Sequence, residues 1–449
     1  MATLLHCPRE VIDAVLELLT VAELSALCLT HGALRILAEP YLYAKVEWTW
    51  KDFKKTPPPI RFLLETLLRR PELSLHVRSL VVRGAHYGSF SGFLPKLTIS
   101  LSELPRVVNF IQSTAVPFVD LWETEARRGT IDAYFAALVA QLPNLTHLFI
   151  GKNIARESTL FGMMLRSALF HPVNHRLPQF KQLQRVTFRR TYEHSLHVVD
   201  PADALSLFYL PAVKHLSVSI ENPTTVSAWP AYTPDVSNIT SLSINMLREP
   251  HLASILRETK SLKKLNYKWN YDPQLRRSNP FMTPVINLGQ VADALSFVGG
   301  TLTDLTLRAS CELEGIVYPS LEMQGSLKSI TERLDKVTRL QAPWAFLVQL
   351  SPEPEARLED AMPASVEHVI ISEDLWRLEC NELDHDDVLD LIKLWLNQGM
   401  GSTPCLTRIS LGFAELSRWL SRKMHPKVAD LCAPFGIEGE ALTIRNEDE

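Results

Sequence analysis

Two hydrophobic periods succeed one another along this chain. Near the N-terminus Val11, Val15 and Leu18 recur at helical spacing, and so do Ile12, Leu16 and Leu19. The two rows are adjacent, which makes an apolar stripe wider than one partner helix needs. Pro8 suits the first turn of this helix, where its missing N–H is not required, and Glu10 favours the positive end of the helix dipole. Thr20-Val21-Ala22-Glu23 fits a capping box, so a second helix is predicted from Val21, with Leu24, Leu27 and Cys28 as its apolar positions. Gly32 breaks that run, and Ala33 to Ala38 are expected to form a third short helix ended by Pro40. Helices this short bury little surface, so they need a partner protein, the rest of the chain, or both.

Farther on the period shortens to that of a strand. Leu145, Leu148 and Ile150 are followed by Asn153, and similar triplets recur at Leu183/Val186/Phe188, Val213/Leu216/Val218, Ile239/Leu242/Ile244 and Leu262/Leu265/Tyr267. Leu302/Leu305/Leu307, Val366/Val369/Ile371 and Leu406/Ile409/Leu411 continue the series, with weaker copies at Val77/Leu80/Val82 and Val337/Leu340/Ala342. The string from Leu145 to Asn153 matches the leucine-rich repeat core in full, and the other copies resemble it. In such a core the last two apolar residues point into a stack and the residues between them point out along a parallel strand. One copy cannot bury its apolar face, whereas stacked copies share a continuous core.

Several copies are introduced by Leu142-Pro143, Leu210-Pro211 or Met362-Pro363, and helices are expected between them at 131–141, 291–297 and 386–398. The gap from Arg83 to Leu142 holds no copy and reads as an insertion or a degenerate repeat. The stretch 51–59, with Thr56-Pro57-Pro58-Pro59, looks like a stiff linker. The expected fold class is therefore α/β. A small helical module (1–50) and a linker (51–72) precede an irregular repeat solenoid (73–449) that ends in an acidic tail. The competing architecture is an ordinary α/β domain whose strands happen to end in Leu-x-Leu.

The first forty-three residues resemble an F-box. Pro8, Val11, Ile12, Leu16, Leu19, Leu24 and Leu27 fall on that pattern, and Leu34, Leu37, Pro40, Leu42 and Tyr43 resemble the ending common in fungal members. Cys7 stands where Leu is usual, Glu23 where Asp is usual, and Thr30-His31-Gly32 replaces the usual Val-Cys/Ser-Arg/Lys. The resemblance covers about a tenth of the chain. It implies a substrate-recognition subunit of an SCF-type ubiquitin ligase, cytoplasmic and/or nuclear. Pro8, Val11, Ile12, Leu16, Leu24 and Leu27 would face a Skp-family adaptor, and through it a cullin, although some of them must fill the module's own core. Three alternatives stay open: a repeat scaffold that recruits no ligase, a hydrolase or other enzyme using an unrecognised site in the array, and, for the N-terminal segment, an amphipathic helical cap on the array.

Composition narrows the partners. Hydrophobic residues make up 46% and charged residues 21%, with a net charge of −4, so no global field draws the chain to nucleic acid or a membrane. The six cysteines (Cys7, Cys28, Cys311, Cys380, Cys405 and Cys432) show no CxxC, which points to free thiols in a reducing compartment. No apolar run reaches the length of a membrane span. Arg9, Glu10 and Asp13 interrupt the N-terminal apolar stretch, so it does not read as a signal peptide. Asn144-Leu145-Thr146 and Asn238-Ile239-Thr240 match the glycosylation pattern, which a chain that is not secreted would not use.

The outward strand positions are expected to be basic. They include Arg83, Lys152, Arg185, Arg189, Arg190, Lys264, Lys268, Arg308, Arg339 and Arg408, with Phe149, Trp269, His147, His215 and His368 among them and only Asp304 and Glu373 acidic. Guanidinium groups bind carboxylates and phosphates bidentately. Lys152, Arg185, Arg189, Arg190, Lys264, Lys268, Trp269 and Arg308 are therefore the candidate contacts to an acidic or phosphorylated segment of a client protein. The plainer account is that exposed positions are polar in any protein. Nucleic acid is disfavoured, since no binding motif accompanies these residues.

Enzyme chemistry finds no support in the sequence. It holds no phosphate-binding loop, dinucleotide fingerprint, nucleophile elbow or zincin helix. His171 and His175 have metal-like spacing, but Pro172 prevents a regular helix and no nearby Cys adds a ligand. Asp384-His385-Asp386-Asp387 reads as a charged helix start. No cofactor and no metal are expected.

Overall fold

The structure is a computed structural model that describes residues 7–50, 57–84, 94–155, 157–189, 201–222, 229–275, 281–312, 319–349, 357–376 and 385–444. The chain divides into two compact units, Met1–Glu193 with Ala202–Val213, and His194–Pro201 with Lys214–Glu449. The acidic tail lies outside the described residues.

Three helices open the first unit: α1 (Arg9–Leu18), α2 (Val21–Thr30) and α3 (Gly32–Ala44). The capping box at α2 is formed. Thr20 Oγ1 accepts from the Glu23 backbone N–H at 3.3 Å, and Glu23 accepts from the Thr20 N–H at 2.7 Å. Pro40 was expected to end the third helix, but α3 runs through it to Ala44. A proline removes one donor, and the turns on either side carry the helix across.

From Ala44 the chain passes directly into β1 (Lys45–Trp50), which pairs with β2 (Ser79–Gly84). The helical module therefore stops at residue 44, and the sheet begins before the expected linker. Residues 57–72 of that linker are built into the fold. Within it lies α4 (Ile60–Arg69), which buries Ile60, Leu64 and Leu67 at i, i+4, i+7 spacing.

Three more helices, α5 (Leu104–Ser113), α6 (Val119–Arg128) and α7 (Ile131–Val139), fill much of the gap that showed no repeat, so it is a helical insertion. Every residue of α7 is buried. Trp122 on α6 donates its indole N–H to the Ala133 carbonyl at 2.9 Å. The unit continues with β3 (His147–Ile150), α8 (Lys152–Ala155), α9 (Thr159–Phe170), β4 (Arg185–Phe188) and all but the first residue of α10 (Pro201–Leu205). Its strands are parallel in the order β1-β2-β3-β4. Asn153, the terminal residue of the full repeat match, is buried and donates to the Trp50 carbonyl at 2.5 Å. Gly84 lies against it, since a Cβ there would come within 2.7 Å of the Asn153 side chain.

The second unit contains β5 (His215–Ser219), β6 (Ser241–Asn245), α11 (Glu249–Leu256), β7 (Lys264–Tyr271), β8 (Val285–Asn287), α12 (Leu288–Leu295) and β9 (Asp304–Cys311). It goes on with β10 (Glu322–Gln324), α13 (Lys328–Thr331), β11 (Arg339–Pro343), α14 (Trp344–Val348), β12 (His368–Ser372), α15 (His385–Gln398), β13 (Arg408–Ala414), α16 (Arg418–Cys432) and β14 (Glu438–Ile444). The main sheet is parallel in the order β5-β6-β7-β9-β11-β12-β13-β14, and β8 pairs with β10 in a separate two-stranded sheet. At the end of the main sheet α16 packs on β14. Ser421 donates its hydroxyl to the Ala441 carbonyl at 3.1 Å, and the Ala441 N–H donates to His425 Nδ1 at 3.2 Å.

In both units the main-sheet strands neighbour one another in chain order. Stacked repeats produce that order, whereas a doubly wound sheet reverses it at a switch point. All the leucine-type triplets lead into or lie on strands, with Leu148, Ile150, Leu242, Ile244, Leu305 and Leu307 in the core.

Candidate interaction surfaces

The two apolar rows of α1 part company. Ile12 and Leu16 turn inward and join Leu24 of α2 and Ala38 of α3 in the module's own core, with Leu19, Leu27 and Leu37 packed half-buried around them. Three of the six expected adaptor contacts, Ile12, Leu16 and Leu24, are therefore structural, because the three helices can cover one row among themselves. Leu27 is half-buried, while Pro8 and Val11 are exposed. The Pro8 carbonyl accepts the Val11 and Ile12 N–H groups and so opens α1.

The other row, Val11, Val15 and Leu18, faces outward. Val21, Leu29 and Ile36 are also uncovered, with exposures of 85% at Leu18, 86% at Leu29 and 74% at Ile36. The motif pattern did not single out Val15, Leu18, Val21, Leu29 or Ile36 as contacts; the doubled helical row was the one signal for Val15 and Leu18.

The module is tied down through α3. Glu39 accepts from both terminal nitrogens of Arg70, at 2.6 and 2.8 Å, and from Arg35 Nε at 2.6 Å. The Arg70 guanidinium holds the Glu39 carboxyl down at about 2. The Arg78 N–H donates to the Ala44 carbonyl at 2.9 Å, which fastens the end of α3 to the approach of β2.

The outer face of the first unit's sheet is basic. The register aligns Lys45, Ser79, His147 and Arg185 in one column across β1 to β4. Lys45 and Arg83 share Glu47, at 2.8 and 3.1 Å. The Arg83 guanidinium sits 5.0 Å from the Phe149 ring centroid. Arg185 is exposed and has no ion-pair partner among the described residues. Burial, and then the positive charges of Arg185, Arg83 and Lys45, push His147 below its ordinary range. Of the other expected contacts here, Lys152 begins α8 and is not on a strand, Arg189 is half-buried just past β4, and Arg190 lies outside the described residues.

The second unit does not keep the expected basic face. Its first column runs His215, Ser241, Lys264, Asp304, Arg339, His368, Arg408, Glu438. Asp304 lies 3.8 Å from Lys264 and 3.2 Å from Arg339, and Glu438 holds Arg408 at 2.6 Å. Asp374 clamps Arg308 with two bonds, at 2.5 and 3.0 Å. A parallel column runs Ser217, Ser243, Asn266, Thr306, Gln341, Ile370, Ser410, Glu440, with no cation in it. Lys268 is half-buried on the outer side, beside Arg308.

Trp269, expected outward, is fully buried. Its indole N–H donates to Glu249 at 2.9 Å, and the Arg248 guanidinium lies 4.8 Å from its ring. Neighbouring strand residues point to opposite faces, so Lys268 and Trp269 cannot share one.

His171 and His175 stand with ring centroids 6.2 Å apart, and His175 Nδ1 lies 2.8 Å from the Ala115 carbonyl. Asp132 is buried on α7 and accepts the Leu160 and Phe161 N–H groups at the start of α9; burial pushes its carboxyl up to about 7. Burial likewise raises the Cys432 thiol to about 11, away from nucleophilic use. Among the described residues no group of three or more His, Cys, Asp or Glu is placed to hold a metal ion, and no helix is long and apolar enough to cross a membrane.

No family model matches the chain, and no curated protein matches it. Among solved structures it is similar to the leucine-rich repeat-containing protein LegL7 from Legionella pneumophila. That likeness has a TM-score of 0.36 and 14% identity, covering 82% of this chain and 91% of that one. Such a score is too low to establish a shared fold, and the repeat architecture stands on the strand order itself.

Proposed function

We propose that the chain is an adaptor without chemistry of its own. Its N-terminal helices dock on a foreign subunit, and its strand faces hold a second protein. The observation that carries this reading is the division of α1, in which Ile12 and Leu16 hold the module together while Val11, Val15 and Leu18 stay uncovered. Large apolar side chains left in water at helical spacing suit a partner's apolar groove. With the F-box resemblance of the same residues, the partner is a Skp-family adaptor, and the chain is the substrate-recognition subunit of an SCF-type ubiquitin ligase. Client lysines would then react by proximity to a conjugating enzyme supplied by other subunits.

The test is co-purification with a Skp-family adaptor, comparing the unaltered chain with Leu18→Asp plus Leu29→Asp. Both positions are exposed, so the variant keeps its fold, and recovery of the adaptor is expected to fall more than tenfold, on the order of 1.4 kcal/mol or more. Equal recovery from the two proteins rejects this docking surface, and no recovery from the unaltered chain rejects the ligase assignment.

A second reading has its own support. The grip of Glu39 on Arg70 and of Ala44 on Arg78 is what an end cap of a repeat array requires. On that reading the chain is a scaffold that recruits no ligase, and the Leu18/Leu29 variant changes no partner.

A further inference from the structure

Cations on the strand faces are treated differently in the two units. In the second unit Lys264 and Arg339 share Asp304, Arg408 has Glu438, and Arg308 has Asp374. In the first unit Lys45 and Arg83 have Glu47 between them, and Arg185 has no ion-pair partner among the described residues. His147 stands in the same column, surrounded by these charges, and Phe149 offers a ring beside Arg83. We infer that this face of the first unit binds an extended acidic peptide segment of the client, laid across the strands along the column Lys45–Ser79–His147–Arg185. The inference deepens the adaptor reading, since it rests on the chain holding a second protein and names the chemistry of what is held.

The spacing supports an extended segment. Four adjacent strands at about 4.8 Å put Lys45 and Arg185 about 14 Å apart across the sheet. An extended chain advances about 3.4 Å per residue, so carboxylates at i and i+4 are also about 14 Å apart and lie on one side. One carboxylate then reaches Arg185, whose planar fork suits it bidentately, and the other reaches Lys45. The residue at i+2, on the same side, passes over Ser79 and His147, where a small neutral side chain fits and a third carboxylate is not required. Charge complementarity also speeds encounter and makes it salt-sensitive.

Fluorescence anisotropy on the full chain, with no adaptor present, tests this with labelled peptides of equal charge. One carries two Glu at i and i+4 in a Ser/Ala background, and the other carries them at i and i+2. The first is expected to bind several-fold more tightly, and its Gln counterpart is expected not to bind. Arg185→Gln plus Lys45→Gln is expected to weaken it by about tenfold or more, the scale of lost charge-assisted bonds. Lys264→Gln and Leu18→Asp plus Leu29→Asp are expected to leave binding unchanged. Equal binding of the two spacings overturns the inference, as does insensitivity to the Arg185/Lys45 pair. Binding of a phosphoserine peptide where no Glu peptide binds overturns the carboxylate assignment. Because the Leu18/Leu29 variant serves here as a control, failure of adaptor docking and failure of peptide binding are read separately.

Discussion

Helices α1 and α7 are nearly equal in length, ten and nine residues, and both are rich in aliphatic side chains. Every residue of α7 is buried, because α4, α5, α6 and α9 all pack against it. In α1 only Ile12 and Leu16 are buried, because α2 and α3 supply cover on one side. Polar Arg9, Glu10, Asp13 and Glu17 share the remaining surface with Val11, Val15 and Leu18. The difference lies in the number of surrounding layers, and it teaches that an apolar residue's role is decided by what the rest of the chain can place beside it. A helix that is apolar all round needs neighbours on every side, and α1 is built with one row more than its neighbours cover.

Truncation sharpens the comparison most. Phe135→Ala in α7 is expected to cost about 3–5 kcal/mol in urea unfolding, through lost burial and a cavity. Leu18→Ala in α1 is expected to stay within about 0.5 kcal/mol, since little is buried there. A loss of several kcal/mol at Leu18 would mean that α1 has cover which the described residues do not provide.

Next in size is the tie that holds the module in place. Glu39→Gln is expected to cost about 1–2 kcal/mol, discounted for partial solvation of the network. The Glu39 carboxyl lies below its ordinary 4.5, so its stabilisation is full above that pH and is lost as the pH falls toward about 2. Unfolding followed over that acid range should show a slope in the unaltered chain that Glu39→Gln flattens.

The smallest effect probes the strand face. Arg185→Gln removes a positive charge beside His147, so the His147 imidazole should titrate higher, by tenths of a pH unit, in NMR spectra. An unmoved His147 would separate Arg185 from the column in which the register places it.

Much of the sheet was legible in the sequence, because a buried strand flanked by outward residues writes itself as Leu-x-Leu. Strands β1 and β14 were not, for physical reasons. In β1 the alternating apolar places hold Val46, Trp48 and Trp50, and β14 carries Glu438, Gly439, Glu440 and Ala441 where leucines would announce it. Missing β14 concealed Glu438 and so overstated the basic character of the second unit. Helix α4 was hidden behind the prolines that precede it, although Ile60, Leu64 and Leu67 have the spacing to reveal it. The candidate contacts were harder. A docking motif and a helical core use the same residue types, so the pattern alone could not send Leu24 inward and Leu18 outward. At Trp269 the alternation rule was available and excludes placing it beside Lys268 on one face.

Strand β14, the last described strand of the second unit, shows how a sheet edge is guarded. Strand β14 forms the end of its sheet, where bare backbone groups would template one more strand from another molecule. Ser421 and His425 of α16 occupy the carbonyl and the N–H of Ala441, midway along it. An incoming strand therefore meets an edge ladder with its central rung already taken.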